Sequence, residues 1–543
     1  MSLFSEIVEN QRNEAKVQRT IGSLSENSDI CRIMQADNIH NSGRIAKNTL
    51  VLYIRMIFLM VISIYTSRIV LNALGVEDYG IYNVVGGVVS MFTILSGSMS
   101  AAISRFITFE LGRSSDLERL RTVFSTSVTV QVIIAVLVVL LAEGVGVWFI
   151  NNRMNIDPER LNAANWVFQL SLLSFAVNLL SIPYNASIIA HEKMSSFAYI
   201  SIFEGVAKLS VAFLTASSPF DRLIFYAMLT CVVAVIVRVL YSVYCRKYFD
   251  EVRFRFCFDK GLFREMFSFA GWNFIGNGLY IVNTQGINVL SNIFFGVTVN
   301  AARGVVGQVE HAVNQFVNNF TTAINPQITK SYAAGDKDYM YALVCKGAKY
   351  SYFMMLAFAV PVILEAETLL EVWLKNVPEY AAVFLRYATV CSMTTVLSNT
   401  LVTAMFATGD IRRYQIIVGA VGLMVFPLSW VFFKAGFEPQ VAYTVYCGVY
   451  GILLFVRLWL MKDMIGMPVS MYVKSVILRI MPVTLIAFGM TWGVTELMEP
   501  GIWRLLITSA AGVSFVASAI WLTGLEKSEK EFIIEKSRKF IFR

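Results

Sequence analysis

Arg55, Arg68, Glu204, Lys208, Arg303, Glu310 and His311 are ionisable residues set inside long apolar stretches of this sequence. A charge at the centre of a bilayer costs about 2.5–3.5 kcal/mol on insertion scales, so one kept there has a partner or a task. Arg55 and Arg68 are 13 residues apart, about 20 Å along a helix, and fall toward opposite ends of one span. Guanidiniums so placed suit stepwise contact with an anion, because each can pair with phosphate oxygens through two donors. Snorkelling to lipid head groups is the bland alternative for both, and Arg303 is a third candidate cation for the same anion. Glu204 and Lys208, spaced i,i+4, either neutralise each other or serve ion coupling. Glu310 has no basic residue three or four positions away, since Val306, Gly307, Val313 and Asn314 stand there. It is a candidate to load a coupling proton. His311 beside it could titrate near neutrality, with a hydrogen-bonded structural role as the alternative.

Uncharged polar residues form stripes. Asn83, Gly86, Ser90, Thr93, Gly97, Ser100 and Ser104 recur at alternating spacings of three and four, which keeps them on one helical face. Gly304, Gly307, His311, Asn314, Asn318, Thr321 and Asn325 make a second stripe, and Asn273, Asn277, Tyr280, Thr284, Asn288 and Ser291 a third. Small and amide residues can simply glue helices together. Whole stripes are better explained by a hydrated cavity, with Asn277, Asn314 and Asn318 as cargo-binding candidates.

The elements that must position these residues follow from composition. The chain has 543 residues, 56% hydrophobic and only 15% charged, with a mean hydropathy of +0.61. Soluble domains carry about 25% charge, so a soluble enzyme, a disordered chain and a disulfide scaffold are excluded. Apolar runs of the roughly 20 residues needed to cross a bilayer begin near Asn48, Gly80, Val123, Ala164, Phe197, Leu223, Met266, Thr298, Tyr350, Ala382, Tyr414, Val441, Tyr472 and Ile502. The expected fold is an all-α polytopic membrane protein of about fourteen helices. Loops carrying Arg113, Arg119 and Arg121, or Arg246 to Arg264, or Arg412 and Arg413, alternate with acidic or balanced ones. The positive-inside rule then puts the basic loops and both termini in the cytoplasm. The net charge of +8 follows from those loops, and no nucleic-acid partner is expected.

Sliding the chain by 221 residues places Gly75 and Val76 on Gly296 and Val297, and Val84, Val85, Gly86 and Val88 on Val305, Val306, Gly307 and Val309. Ala102, Ile103, Ile107 and Thr108 then fall on Ala323, Ile324, Ile328 and Thr329. About six helices separate the copies, so two six-helix lobes should be related by an axis along the membrane normal. The expected organisation is an amino-terminal cytoplasmic, loosely structured tail (1–47), a first lobe (48–247), a basic linker (248–265) and a second lobe (266–462). Two extra helices (463–525) and a basic carboxy-terminal tail (526–543) complete it. The seven cysteines contain no CxxC pair, so free thiols are expected and a metal site is not. No GxxxxGK[ST] loop or HExxH occurs, and neither a cofactor nor enzymatic activity is expected.

Leu74-Gly75-Val76-Glu77-Asp78-Tyr79-Gly80-Ile81-Tyr82, with Asn48 opening the first helix, resembles the LGxxxYGxY signature of bacterial polysaccharide-unit flippases of the O-antigen and capsule type. These belong to the multidrug/oligosaccharidyl-lipid/polysaccharide exporter superfamily. The resemblance implies two lobes around a cavity lined by the first, second, seventh and eighth helices. It also implies ion-coupled flipping of an undecaprenyl-diphosphate-linked glycan across the bacterial inner membrane, with membrane lipids and polysaccharide-assembly proteins as partners. The second repeat departs from the signature, with Asn300-Ala301-Ala302-Arg303 where YGxY would fall. A drug or lipid II exporter of the same fold is the alternative, and a multi-pass glycan polymerase or ligase the reading from another class.

Overall fold

The structure is a computed structural model. It describes residues 28–531, except 91, 114–115, 154–156, 254–258, 375–376 and 528, and also residue 534. The side chains of residues 28–46 and of some helix positions, Asn83 and Ser90 among them, lie outside the description, as does Cys257. Every regular element among the described residues is helical.

The chain enters through α1 (Ser28–Ser90), so the described part of the amino-terminal segment is helical where a loosely structured tail was expected. This helix breaks at Gly75, where φ is +79° and ψ 172°. Then follow α2 (Thr93–Arg113), α3 (Leu117–Leu141) and, after a π turn, α4 (Val147–Arg153). α5 (Leu161–Ala190), α6 (Met194–Ala216) and α7 (Arg222–Tyr248) complete the amino-terminal half. The carboxy-terminal half opens with α8 (Lys260–Phe295) and α9 (Val297–Ala333), which meet at Gly296. It continues with α10 (Lys337–Leu364), α11 (Ala366–Trp373), α12 (Ala381–Val396), α13 (Asn399–Ala407), α14 (Arg412–Leu423), α15 (Val425–Lys434) and α16 (Val441–Ile465). The last elements are α17 (Val469–Tyr472), α18 (Leu478–Glu496) and α19 (Ile502–Ala519).

Aspartates start several of these helices. Asp116, Asp221, Asp259 and Asp336 each accept hydrogen bonds from free backbone N–H groups in the first turns of α3, α7, α8 and α10, the standard remedy for unsatisfied amino-terminal donors. The 221-residue repeat is visible in the backbone. Gly296 has φ +80° and ψ −169°, nearly the conformation of Gly75, and only glycine adopts it without strain. Each kink ends one long helix and starts the next at the same point of the repeat.

Eleven helical stretches among the described residues are long and apolar enough to cross a membrane. The helices bearing the three polar stripes (α1 beyond Gly75 with α2, then α8 and α9) are not among them. The chain is a multi-pass membrane protein. One buried cluster draws almost wholly on residues 70–270, including Phe124, Phe168 and Leu223. Others draw on residues 287–519, with Leu356, Leu401 and Tyr472 in the largest.

Ion pairs fasten the ends. In the signature segment Asp78 pairs with Arg160, which also reaches Asp221 at 2.7 Å, so this acid ties the kink to the starts of α5 and α7. The closing pair of helices is held to α10 twice. Arg504 of α19 contacts the buried Glu365 at 2.7 Å. Past α19, Glu529 accepts from Lys349 Nζ at 2.7 and 3.0 Å and from Tyr350 at 2.7 Å. Burial opposes ionisation of Glu529, but the hydrogen bonds from Lys349, the Glu526 backbone N–H and Tyr350 outweigh it and hold the carboxyl below its ordinary range. Breaking such a buried pair from one side leaves an uncompensated charge, at about 3–5 kcal/mol. Glu529→Gln and Lys349→Met should each lower the melting temperature in detergent, and the double variant should recover part of the loss. Because the folded-state value is depressed, this contribution is present above the ordinary carboxylate range and fades as pH falls through the depressed value. The stability gap between parent and Glu529→Gln should therefore narrow in acid.

Candidate functional site: polar faces around an open space

Helices α2, α8 and α9 carry the stripes, and the structure shows where those faces point. Gly97 and Thr93 of α2, Asn277 and Tyr280 of α8, and Gly304, Gly307, His311 and Asn318 of α9 are exposed. Gly86, Ser100, Ser104, Asn288, Asn314 and Asn325 are half-buried. At Gly86, Gly97, Gly304 and Gly307 an added Cβ would meet nothing within 4 Å. Glycines used to bring two helices into contact would show a near neighbour, as Gly112 does against the Lys330 backbone at 2.6 Å. These four instead border open space. The stripes draw together farther along: Asn277 Nδ2 donates to Ser98 at 3.3 Å, while Asn273 and Thr321 are buried.

The candidate charges separate into distinct settings. Arg55 is half-buried, its guanidinium 4.6 Å from the centre of the Phe197 ring. Its buried Nε has no hydrogen-bond acceptor. Arg68 is exposed, so the first helix offers one shielded cation and one open one. Glu204 and Lys208 form their ion pair at 2.6 Å on a well-exposed stretch of α6. A carboxylate already neutralised in its own helix is no longer a free coupling group, and the structural alternative fits Glu204.

Arg303 and Glu310 share one face of α9, two turns apart, but each has its own partner. Arg303 Nε donates to Asn288 of α8 at 2.8 Å, with the guanidinium 5.1 Å from the Tyr443 ring centre. Glu310 accepts from the Ser392 hydroxyl of α12 at 2.9 Å, and Ser392 accepts from Asn314 at 3.3 Å. Glu310 thus has a hydrogen-bond partner from another helix, which the spacing on its own helix could not reveal. His311 is exposed and makes no hydrogen bond among the described residues, so the hydrogen-bonded alternative is not what the structure shows. Asn318 is exposed, its backbone carbonyl accepting from Thr321 and Thr322.

Sequence reasoning missed an aromatic group beside Glu310. Tyr446 and Tyr450 of α16 stack at 4.1 Å, Tyr280 of α8 lies near them, and Tyr443 lies under Arg303. Tyr443, Tyr446 and Tyr450 repeat at helical spacing along an apolar run, a signal that was available. Near this group Arg457 is 8% exposed, and its Nε and Nη1 have no partner. Among the described residues no cluster of His, Cys, Asp and Glu could hold a metal ion, and the five described cysteines are free thiols. A cavity of about 460 Å³ lies away from the stripes between α10, α12 and the closing helices, near Arg386, Glu496 and Arg504.

Solved structures share the fold of this membrane bundle. A MATE transporter in its bent conformation superposes with a TM-score of 0.70 at 12% identity, covering 80% of this chain and 97% of that one. An outward-facing multidrug resistance MATE family transporter of the MOP superfamily gives 0.66 at 12% identity over 77% of this chain and 96% of its own. A MOP superfamily transporter from Pyrococcus furiosus gives 0.60. Residues 45–332, more than half of the chain, match the family described as polysaccharide biosynthesis protein, and the chain belongs to that family. The membrane protein EpsK of Bacillus subtilis is 21% identical over 283 residues, and the chain spans about half the length of this relative.

The four open glycines supply a test. Alanine at Gly304 or Gly307 should leave thermal stability unchanged or raise it by up to about 1 kcal/mol, because helical glycine is costly and the space is free. Tryptophan at either position should fold equally well and block transport by filling the interior. Normal transport by both tryptophan variants would mean that the stripes face something other than the transport path.

Proposed function

We propose that the protein flips an undecaprenyl-diphosphate-linked oligosaccharide unit from the cytoplasmic to the periplasmic leaflet of the bacterial inner membrane, for surface polysaccharide assembly. The observation that carries this reading is the set of polar faces on α2, α8 and α9 bordering open space, in a chain of the polysaccharide biosynthesis family. A glycan needs a hydroxyl- and amide-lined route, which these stripes offer, and its diphosphate needs cations. In this reading fourteen helices form two six-helix lobes with two added helices. The basic loops and both termini face the cytoplasm, and the lobes alternate access around the interior. Membrane lipids surround the bundle, and assembly proteins receive the product. The MATE-like fold equally suits a drug exporter; loss of surface polysaccharide in a deletion strain, without altered drug sensitivity, separates the two.

Arg55 is the diphosphate ligand in this reading. Its guanidinium is shielded, stacked on Phe197 and short of an acceptor at Nε, and phosphate oxygens would supply one. Arg68 and Arg303 extend the cationic path, and Asn277, Asn314 and Asn318 meet the sugar. Arg55→Ala should abolish complementation of a flippase-null strain with expression intact, whereas Arg55→Lys should keep part of it. Full activity in the alanine variant would reduce Arg55 to a snorkelling residue.

Energy input falls to Glu310, with His311 as a neighbouring titratable group. A proton on Glu310 removes a charge from the membrane interior and biases the lobes toward the more closed arrangement. The Ser392 hydroxyl serves both forms, because it can donate to the carboxylate or accept from the acid. In vesicles with an imposed pH gradient, Glu310→Gln should bind cargo normally, flip it slowly and lose its response to the gradient. A glutamine variant that responds like the parent would exclude this role.

A further inference from the structure

At the end of the bundle carrying the basic loops a buried loop residue joins the two halves. Glu192, between α5 and α6, has φ +57°, a left-handed conformation that a non-glycine residue holds only when its surroundings enforce it. Those surroundings are polar and come from several elements. The Glu192 carboxylate accepts from Gln327 Nε2 at 2.7 Å and Lys330 Nζ at 2.8 Å, both on α9 of the other half. Its backbone carbonyl accepts from Asn48 Nδ2 of α1 at 3.2 Å. Next to it His191 stacks on Phe249 at 4.2 Å and contacts Glu251 at 2.5 Å, which braces the loop from the linker between the halves. The Glu192 side chain is 1% exposed, and that of Lys330 is 24% exposed.

The same end is closed by contacts that leave little room. The Gly112 backbone of α2 lies against the Lys330 backbone, and Phe109 packs near Tyr332 with ring centres 6.3 Å apart. Arg105 Nη2 donates to the Ala407 carbonyl at 2.8 Å. Gly409 follows with φ +86°, and a Cβ there would strike the Arg105 guanidinium. This end is therefore shut, while the stripe glycines beyond it border open space. Admission from this end requires Glu192 to release Gln327 and Lys330. Releasing them strands a buried carboxylate and a cation unless each finds another partner.

We propose that Glu192 is a carboxylate latch that stands in for a substrate anion. It holds Lys330 and Gln327 while this end is shut, and cedes them to a phosphate or diphosphate group when this end opens. Lys330 and Gln327 then form the first anion subsite met from the basic side, and Glu192 reclaims them as the cargo moves inward. The identity of the cargo rests on the transport reading above; the latch itself does not.

The test uses the full chain in membranes with its own cysteines replaced, and a reporter pair, Phe109→Cys with Tyr332→Cys, that a short bifunctional maleimide joins when the end is shut. The otherwise unchanged chain should cross-link readily, and millimolar inorganic pyrophosphate should lower the yield several-fold. Glu192→Gln and Lys330→Gln should each lower the yield several-fold without pyrophosphate, and Lys330→Gln should no longer respond to it. The charge exchange Glu192→Lys with Lys330→Glu should restore cross-linking, which a mere folding defect would not. Unchanged yields in both glutamine variants would overturn the latch, and a chain indifferent to pyrophosphate would overturn the anion exchange. If the cross-links behave as expected but no glycan is flipped, the cargo reading fails and the latch stands.

Discussion

The architecture depends on one constraint: three long helix segments carry polar faces that cannot be left against lipid. Asparagine, serine and threonine side chains gain no partner from acyl chains, and exposing a stripe of them to hydrocarbon would cost more than packing could return. At Gly86, Gly97, Gly304 and Gly307 these faces border open space. Among the described residues, α8 and α9 are not among the stretches long and apolar enough to cross a membrane.

Duplication supplies the geometry of that lining. The glycine kinks at positions 75 and 296 share φ and ψ to within about 20°, although the residues after them differ, Glu77-Asp78 in one copy and Thr298-Val299 in the other. A left-handed bend is tolerated by glycine and resisted by residues with a Cβ, so the bend persists while its neighbours diverge. In the first copy Asp78 is taken up by Arg160, a tie within its own half. In the second copy the equivalent stretch carries Arg303, which binds Asn288. The same bend is thus followed by a bound acid in one half and by a bound cation in the other.

Ion pairs divide by what they join. Lys349–Glu529 and Arg504–Glu365 join elements within the carboxy-terminal half; the first is buried on both sides, and the second pairs a buried carboxylate with a partly exposed cation. Glu192–Lys330 joins the two halves and also pairs a buried carboxylate with a partly exposed cation. Glu204–Lys208 lies within one helix and is open on both sides. Pairs of that kind contribute little to stability.

Composition alone determined that this is a helical membrane protein, because 56% hydrophobic residues arranged in runs of bilayer length leave no other stable solution. The stripes and the repeat were legible for the same reason: helical period and chain offset are properties of a linear string. Partnership between helices was not. Ser392 lies 82 residues from Glu310, and Glu192 lies 138 from Lys330. Nothing in local spacing joins them; packing brought Glu310 to Ser392 and Glu192 to Gln327 and Lys330. Glu204, by contrast, kept the i,i+4 partner that its sequence offered. Interactions within a helix are set by residue order, whereas contacts between helices depend on how the bundle packs. That packing decided which charges find partners on other helices.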